Sequence, residues 1–210
     1  MNTTLANLHA QVDAATKKAV AGSGHTPPCC AGCFFCCSEP ADSTSSEIRH
    51  ALELLTPQER DALKERTRAW LKTFLAAGWQ TRDPNSKTHA FDYRALKLWC
   101  PLLVNGLCSV YDRRPLACRV HIAMESKEGC EDDALRPRQK FAKFPGLVER
   151  FSAALWQALP DGGVEIMDHI GILLARELLN EDHPTNQRLT VTCSGETLTV
   201  ERYDIEPEPV

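Results

Sequence analysis

Several common protein classes are ruled against by what this chain lacks. Its 210 residues contain no apolar run long enough to span a bilayer. The opening stretch, MNTTLANLHAQVDAATKK, has no basic segment followed by an apolar one, so no secretory signal is expected. Positive charge is not in excess: Lys and Arg number 24 against 28 Asp and Glu, a net charge of −4. That balance argues against wholesale nucleic-acid binding. No strand leads into a glycine-rich phosphate turn, and Asp161-Gly162-Gly163 reads as a simple turn. No Ser-His-Asp or Cys-His pair stands at a recognisable spacing, and no internal repeat is present. His9, His25, His50, His89, His169 and His183 are scattered, and His169 reads as a core or rim residue of a helix.

What the chain does have is cysteine. Five of its ten cysteines fall in the stretch Cys29-Cys30-Ala31-Gly32-Cys33-Phe34-Phe35-Cys36-Cys37, and Cys100, Cys108 and Cys118 form a second set. A hydrophobic share of 43% supplies an ordinary core, so thiols are not needed to rescue a tiny fold. The absence of a secretory signal predicts a cytoplasmic protein with reduced thiols, where a cysteine cluster reads as metal-binding before it reads as a disulfide framework.

Cys30-x-x-Cys33 lets two thiolates grip one ion while backbone N–H groups of the tight turn face the sulfurs. Cys33-x-x-Cys36 repeats the spacing, as iron–sulfur loops do. Soft thiolates select zinc, iron–sulfur clusters or Cu(I) over magnesium or calcium. Cys36 and Cys37 are adjacent, and neighbouring side chains diverge. They suit a multinuclear site, or one ligand with a neighbour for a second metal. The expectation is one composite site, four thiols from the first group and three from the second, holding a cluster or two ions. Cys29 precedes the regular spacing and reads as a bystander. Cys193 reads as a small hydrophobe on an alternating strand. Cys130, in an acidic loop, is either a spare exposed thiol or an outer ligand.

The pattern predicts an α+β fold, mostly helical: a single compact domain over residues 1–204 with two short β-hairpins and a Cys-rich metal site. Residues 29–122 form the cysteine core, 145–204 a helical pair plus hairpin, and 205–210 a tail. Helices are expected over 3–20, 48–55, from the Thr56-x-x-Glu59 capping box to Gly78, over 145–159 and about 164–179. Residues 38–46 read as a loop and 79–91 as an exposed connection. Asn105-Gly106 between apolar runs predicts a type I′ hairpin with Cys100 and Cys108 on its arms or at its ends. Cys118 falls in a short helix begun near Pro115. Residues 188–193 and 197–203 predict the second hairpin.

Cys30-x-x-Cys33-x-x-Cys36-Cys37, followed by Cys100-Pro101-Leu102-Leu103, Gly106-Leu107-Cys108-Ser109-Val110-Tyr111 and Arg114-Pro115-Leu116-Ala117-Cys118-Arg119, resembles the CxxCxxCC cysteine-cluster family (YkgJ-like), described as zinc- or iron-chelating. The resemblance covers about residues 29–122. It implies zinc or iron as the cofactor, an iron–sulfur cluster included, with Cys30, Cys33, Cys36, Cys37, Cys100, Cys108 and Cys118 as ligands. The family often continues past Cys-Arg with an aromatic, a proline and sometimes another cysteine. This chain reads Cys118-Arg119-Val120-His121-Ile122, so the eighth ligand stays open between His121 and Cys130. Arg113, Arg114 and Arg119 ring the second group, either as surface ion-pairing residues or as charges that favour thiolates; the resemblance favours the second role for Arg114 and Arg119. The metal ion is the implied partner, with no membrane, no nucleic acid and no named protein. The same cluster is similar to that of flagellin lysine methylases, which use S-adenosylmethionine, so a metal-dependent enzyme or a redox protein is the alternative to a binding module.

Overall fold

A computed structural model describes residues 3–79, 86, 88–144, 146–157, 167–179, 188–193 and 196–201. Helix α1 spans Thr3–Gly22. The cysteine stretch ends in a 3-10 turn at Phe35–Ser38. Strand β1 (Asp42–Thr44) runs directly into α2 (Ser45–Leu52), and α3 follows at Pro57–Ala76. Helix α4 (His89–Ala95) precedes the tight hairpin of β2 (Leu103–Val104) and β3 (Leu107–Cys108). A 3-10 turn at Tyr111–Arg113 leads into α5 (Leu116–Val120) and α6 (Glu128–Glu131), with another such turn at Arg136–Arg138. Helix α7 (Leu147–Gln157), strand β4 (Met167–His169), helix α8 (Ile170–Leu179) and the hairpin of β5 (Arg188–Cys193) and β6 (Glu196–Glu201) complete the order. Among the described residues the fold is mostly helical with small two-stranded antiparallel sheets, as expected of an α+β chain. No helix among the described residues is long and apolar enough to cross a membrane. The expected tail at 205–210 and the turn at 161–163 lie outside the described residues.

Local chemistry accounts for most boundaries. Thr56 accepts from the Glu59 N–H at 3.3 Å while the Glu59 carboxylate accepts from the Thr56 N–H at 2.8 Å, the reciprocal capping box. Pro57 sits at N1 of α3, and Gly78 takes φ +63° just past its end. Asn105 and Gly106 both have positive φ, 51° and 78°, as the type I′ turn between β2 and β3 requires.

Four expectations are corrected. Residues 38–46 are not simply loop: Asp42–Thr44 pairs antiparallel with Met167–His169, a contact between segments over a hundred residues apart that no local pattern announces. Thr44 also forms a capping box with Glu47, a signal legible as Thr-x-x-Glu, and α2 therefore starts at Ser45 rather than Ile48. The helix expected from about 164 starts at Ile170, because 167–169 is drawn into that strand pair and the Ile170 N–H reaches the Ala41 carbonyl at 2.9 Å. Nor is 79–91 a wholly exposed connection, since Trp79 is buried and α4 begins at His89.

The main apolar cluster joins α2, α3 and α8 with the hairpin through Ile48, Leu52, Leu63, Leu102, Val110, Leu173 and Leu174, and Cys100, Cys108 and Cys118 pack against it. A second cluster, around Trp70, Phe74, Trp79 and Tyr93, stacks aromatic rings along α3 and α4. A third locks α1 to α7 and α5 through Leu5, Val12 and Phe151, with Leu116 and Val120 against it. The Glu47 carboxylate links these parts while buried. Its Oε1 accepts from the Leu116 N–H at 2.7 Å and lies 3.0 Å from His9 Nε2, fixing the start of α5, which carries Cys118.

Candidate metal centre

The two thiol groups meet. The Cys100 N–H donates to the Cys37 carbonyl at 2.8 Å, tying the strand approach of the hairpin to the end of the cysteine loop. On the other side Phe34 packs over the hairpin turn, and a Cβ on Gly106 would sit 3.4 Å from the Phe34 ring. Phe34 also stacks on Phe35 and meets Trp99 edge-on. The loop is itself a run of tight turns: Cys33 N–H to Cys30 carbonyl at 3.0 Å, and Cys37 N–H to Phe34 carbonyl at 2.9 Å.

A cavity of about 590 Å³ opens between them. All seven expected ligands line it: Cys30, Cys33, Cys36, Cys37, Cys100, Cys108 and Cys118. Cys29, outside the regular spacing, lines it too, its sulfur accepting the Ala123 N–H at 3.3 Å. Exposure falls from the mouth, where Cys29 and Cys30 are exposed, to Cys100 and Cys118 against the core. Among the described residues no three His, Cys, Asp or Glu side chains already stand in a metal-holding arrangement. The donors converge on one cavity rather than on one point.

Their electrostatics bears on whether a metal fits. Burial pushes Cys100 up to about 12 and raises Cys33, Cys108 and Cys118 as well, and neighbouring thiols add to each shift. The Cys36–Cys37 pair is different. The Cys37 thiol donates to Cys36, which lowers Cys36 and raises Cys37, and the charges of His121 and Arg136 further favour the Cys36 thiolate. A set of desolvated, mutually repelling thiols can ionise together only against a cation. The donor set therefore fits a soft metal in kind and in number.

The remaining expected residues separate. Cys130 is buried in α6 and does not line the cavity, so the exposed-thiol expectation is corrected: the acidic stretch around it folds into a helical turn that turns the thiol inward. His121 does line the cavity, but its Nε2 already lies 3.3 Å from Glu39 Oε2 and 3.1 Å from Arg136 Nη2, with its ring against Phe141. Arg119 is buried and bonds the carbonyls of Arg114 and Asp112 and the carboxylate of Asp13. Arg114 stacks on Tyr111 at 4.1 Å and lowers the Cys108 thiol against its burial. Arg113 faces away to Glu53 and the His50 carbonyl, the surface role.

Three groups around the cavity left no mark in the sequence. Glu39 lines it and pairs with buried Arg136, with Arg94 Nη1 at 3.6 Å. Burial opposes ionisation of Glu39, but His121 and Arg136 outweigh it and hold the carboxyl below its ordinary value. Arg94, also buried, donates to the carbonyls of Phe35 at 3.2 Å and Cys130 at 2.6 Å. His169 ends β4 beside Tyr93 on the cavity wall. No spacing rule marks these residues, because each acts through a contact across the chain.

Burial and the nearby charge of His89 push His169 down to about 3. The folded protein thus takes up no proton there until near pH 3, while an unfolded histidine takes one near 6.5. With more protons on the unfolded state, stability must fall as pH drops from about 6.5 toward 3, by up to about 1.4 kcal/mol per pH unit. Denaturant titrations of the metal-free protein at pH 7.5 and pH 5 should show this loss, and a His169→Gln variant should show a shallower one. Equal slopes would mean that His169 is solvated or charged in the folded state.

Residues 29–140, just over half of the chain, match the model of the family described as "CxxCxxCC: putative zinc- or iron-chelating domain". No curated protein and no solved structure matches the chain.

Proposed function

Since the chain belongs to the CxxCxxCC family, we propose that it chelates zinc or iron through thiolates drawn from both cysteine groups. The observation that carries this reading is the single cavity lined by Cys30, Cys33, Cys36, Cys37, Cys100, Cys108 and Cys118. Cys29 suits the eighth place better than His121 or Cys130: it lines the cavity, whereas His121 Nε2 is engaged and Cys130, though near Cys29 and Cys33, does not line it. Eight thiols exceed the four that one tetrahedral ion or one iron–sulfur cluster takes, which favours two ions, or a cluster with thiols to spare. When bound, the metal supplies the positive charge that lets these desolvated thiols ionise together. The protein's part is to bring the two groups together, keep the inner thiols dry against the core and hold Cys36 ready as thiolate. Because thiols must give up protons on loading, uptake should strengthen as pH rises.

Protein isolated without oxygen should carry at least one equivalent of zinc or iron per chain. A brown sample with a broad absorption band toward the blue indicates iron–sulfur; a colourless one with tightly held zinc indicates a chelating or structural site. Far less than one equivalent, with none gained from added zinc(II) or iron(II), would remove the proposal.

One observation favours catalysis as a second reading. A cavity of about 590 Å³ lies within the ~300–1,000 Å³ typical of small-molecule sites and leaves room beside a metal. A rise in melting temperature of the metal-loaded protein with S-adenosylmethionine would support it, and no rise would count against the methylase form.

A further inference from the structure

The structure assigns His169 a role as a hydrogen-bond donor to the sulfur-rich anionic centre that the cavity would hold. This rests on the chelation reading and adds to it a residue outside the cysteine pattern.

The side chain is held on every side. Its backbone is pinned by the pairing of Asp42 with His169 and by the Ile170 N–H bond to Ala41. Its Nδ1 accepts the Gly171 N–H at 3.0 Å. An accepting Nδ1 in a neutral ring puts the proton on Nε2, so the tautomer is set by the first turn of α8. The ring stacks on Trp70, 5.0 Å between centroids and 22° between planes, with Tyr93 at 5.2 Å and Phe74 at 5.7 Å. Gly171 is needed for this packing, because a Cβ there would lie 2.5 Å from the Trp70 ring.

Everything about the ring is therefore fixed, and its remaining N–H is buried with no hydrogen-bond partner among the described residues. Buried donors without partners are rare in folded proteins, and each calls for an explanation. His169 lines the same cavity as the thiols. Thiolates held on a metal carry negative charge on sulfur, and N–H groups aimed at such sulfurs stabilise that charge and tune the site. A neutral, locked imidazole suits this better than a cation, since it adds no charge to repel the metal. His121 and Arg136 differ in having Glu39 as a partner already.

The test uses the full chain and whichever of zinc(II) and iron(II) the wild type takes up. Affinity is measured by competition with a chromophoric chelator for wild type, His169→Phe and His169→Gln, alongside the melting temperature of each metal-free form. The His169 Nε2 resonance of the wild type is followed through loading. His169→Phe should bind about 10- to 100-fold more weakly, the range for groups just outside the ligands. Its metal-free form loses the acceptor for the Gly171 N–H as well as an unpartnered donor, so it should melt within a few degrees of wild type. His169→Gln, which can still accept and donate, should recover part of the affinity, and the wild-type Nε2 resonance should move on loading. A wild type that loads metal with no Nε2 shift, and a His169→Phe of equal affinity, would overturn the inference and leave chelation standing. A wild type that takes up neither metal would overturn both.

Discussion

Cys118→Ala will weaken metal retention by more than about a hundredfold, beyond the 10- to 100-fold typical of groups outside the ligand set. Cys118 sits in α5, lines the cavity and backs onto the main core, with Cys100, Cys108 and Cys36 as its charged neighbours on ionisation. Its loss would take away one thiol donor at the end of the cavity that backs onto the core. The cost to the fold itself is about 1 kcal/mol for a small buried side chain. Cys130→Ala is the contrasting variant: it removes a more deeply buried thiol, but one off the cavity, and should leave metal content unchanged. Metal analysis of both variants, purified without oxygen, separates the predictions. A Cys118→Ala protein with wild-type content and affinity would show that this thiol only fills space.

Arg94→Met should cost the fold about 3–5 kcal/mol, the range for breaking a buried charged network on one side. The guanidinium serves the carbonyls of Phe35, Cys130 and Glu131, the Ser38 hydroxyl, and the carboxylates of Asp133 and Glu39. Asp133 is half exposed and can return to water; the carbonyls and Glu39 are mostly enclosed and cannot. Against a total of about 5–15 kcal/mol, this is a large fraction. It corresponds to a fall of roughly 10 °C in melting temperature for a chain of this size. The local effect should centre on the Phe35–Ser38 turn, whose amides should exchange faster, and metal affinity should fall with it. Arg94→Lys should not restore stability, because one ammonium cannot span acceptors that a planar fork reaches together. A melting temperature within a degree or two of wild type would mean that water replaces the guanidinium.

The cysteine spacing, the Asn105-Gly106 turn and the Thr56-x-x-Glu59 cap were all legible because each works within a few residues. A two-residue turn needs two positive φ values, and a cap needs one hydroxyl and one carboxylate at fixed spacing. The pairing of β1 with β4 was not legible, since three-residue strands carry too little alternation to announce a partner so far along the chain. Its consequence was a core or rim histidine assigned to the wrong element. Read as one helix, residues 164–179 make His169 an interior helical residue, whereas the strand pair places it on the cavity wall. That Cys29 lines the cavity and Cys130 does not was illegible for a similar reason: sequence distance from the motif said nothing of distance from the cavity.

By itself, then, the sequence determined the chemistry. Soft donors at this density and spacing specify the kind of ion they suit, because ligand softness and local turn geometry belong to residues and their near neighbours. Tertiary structure alone decided which thiols share a space, which are kept dry and which charges surround them. Those depend on packing between α5, the hairpin and the cysteine loop, and burial sets a thiol's charge as strongly as the residue's identity does.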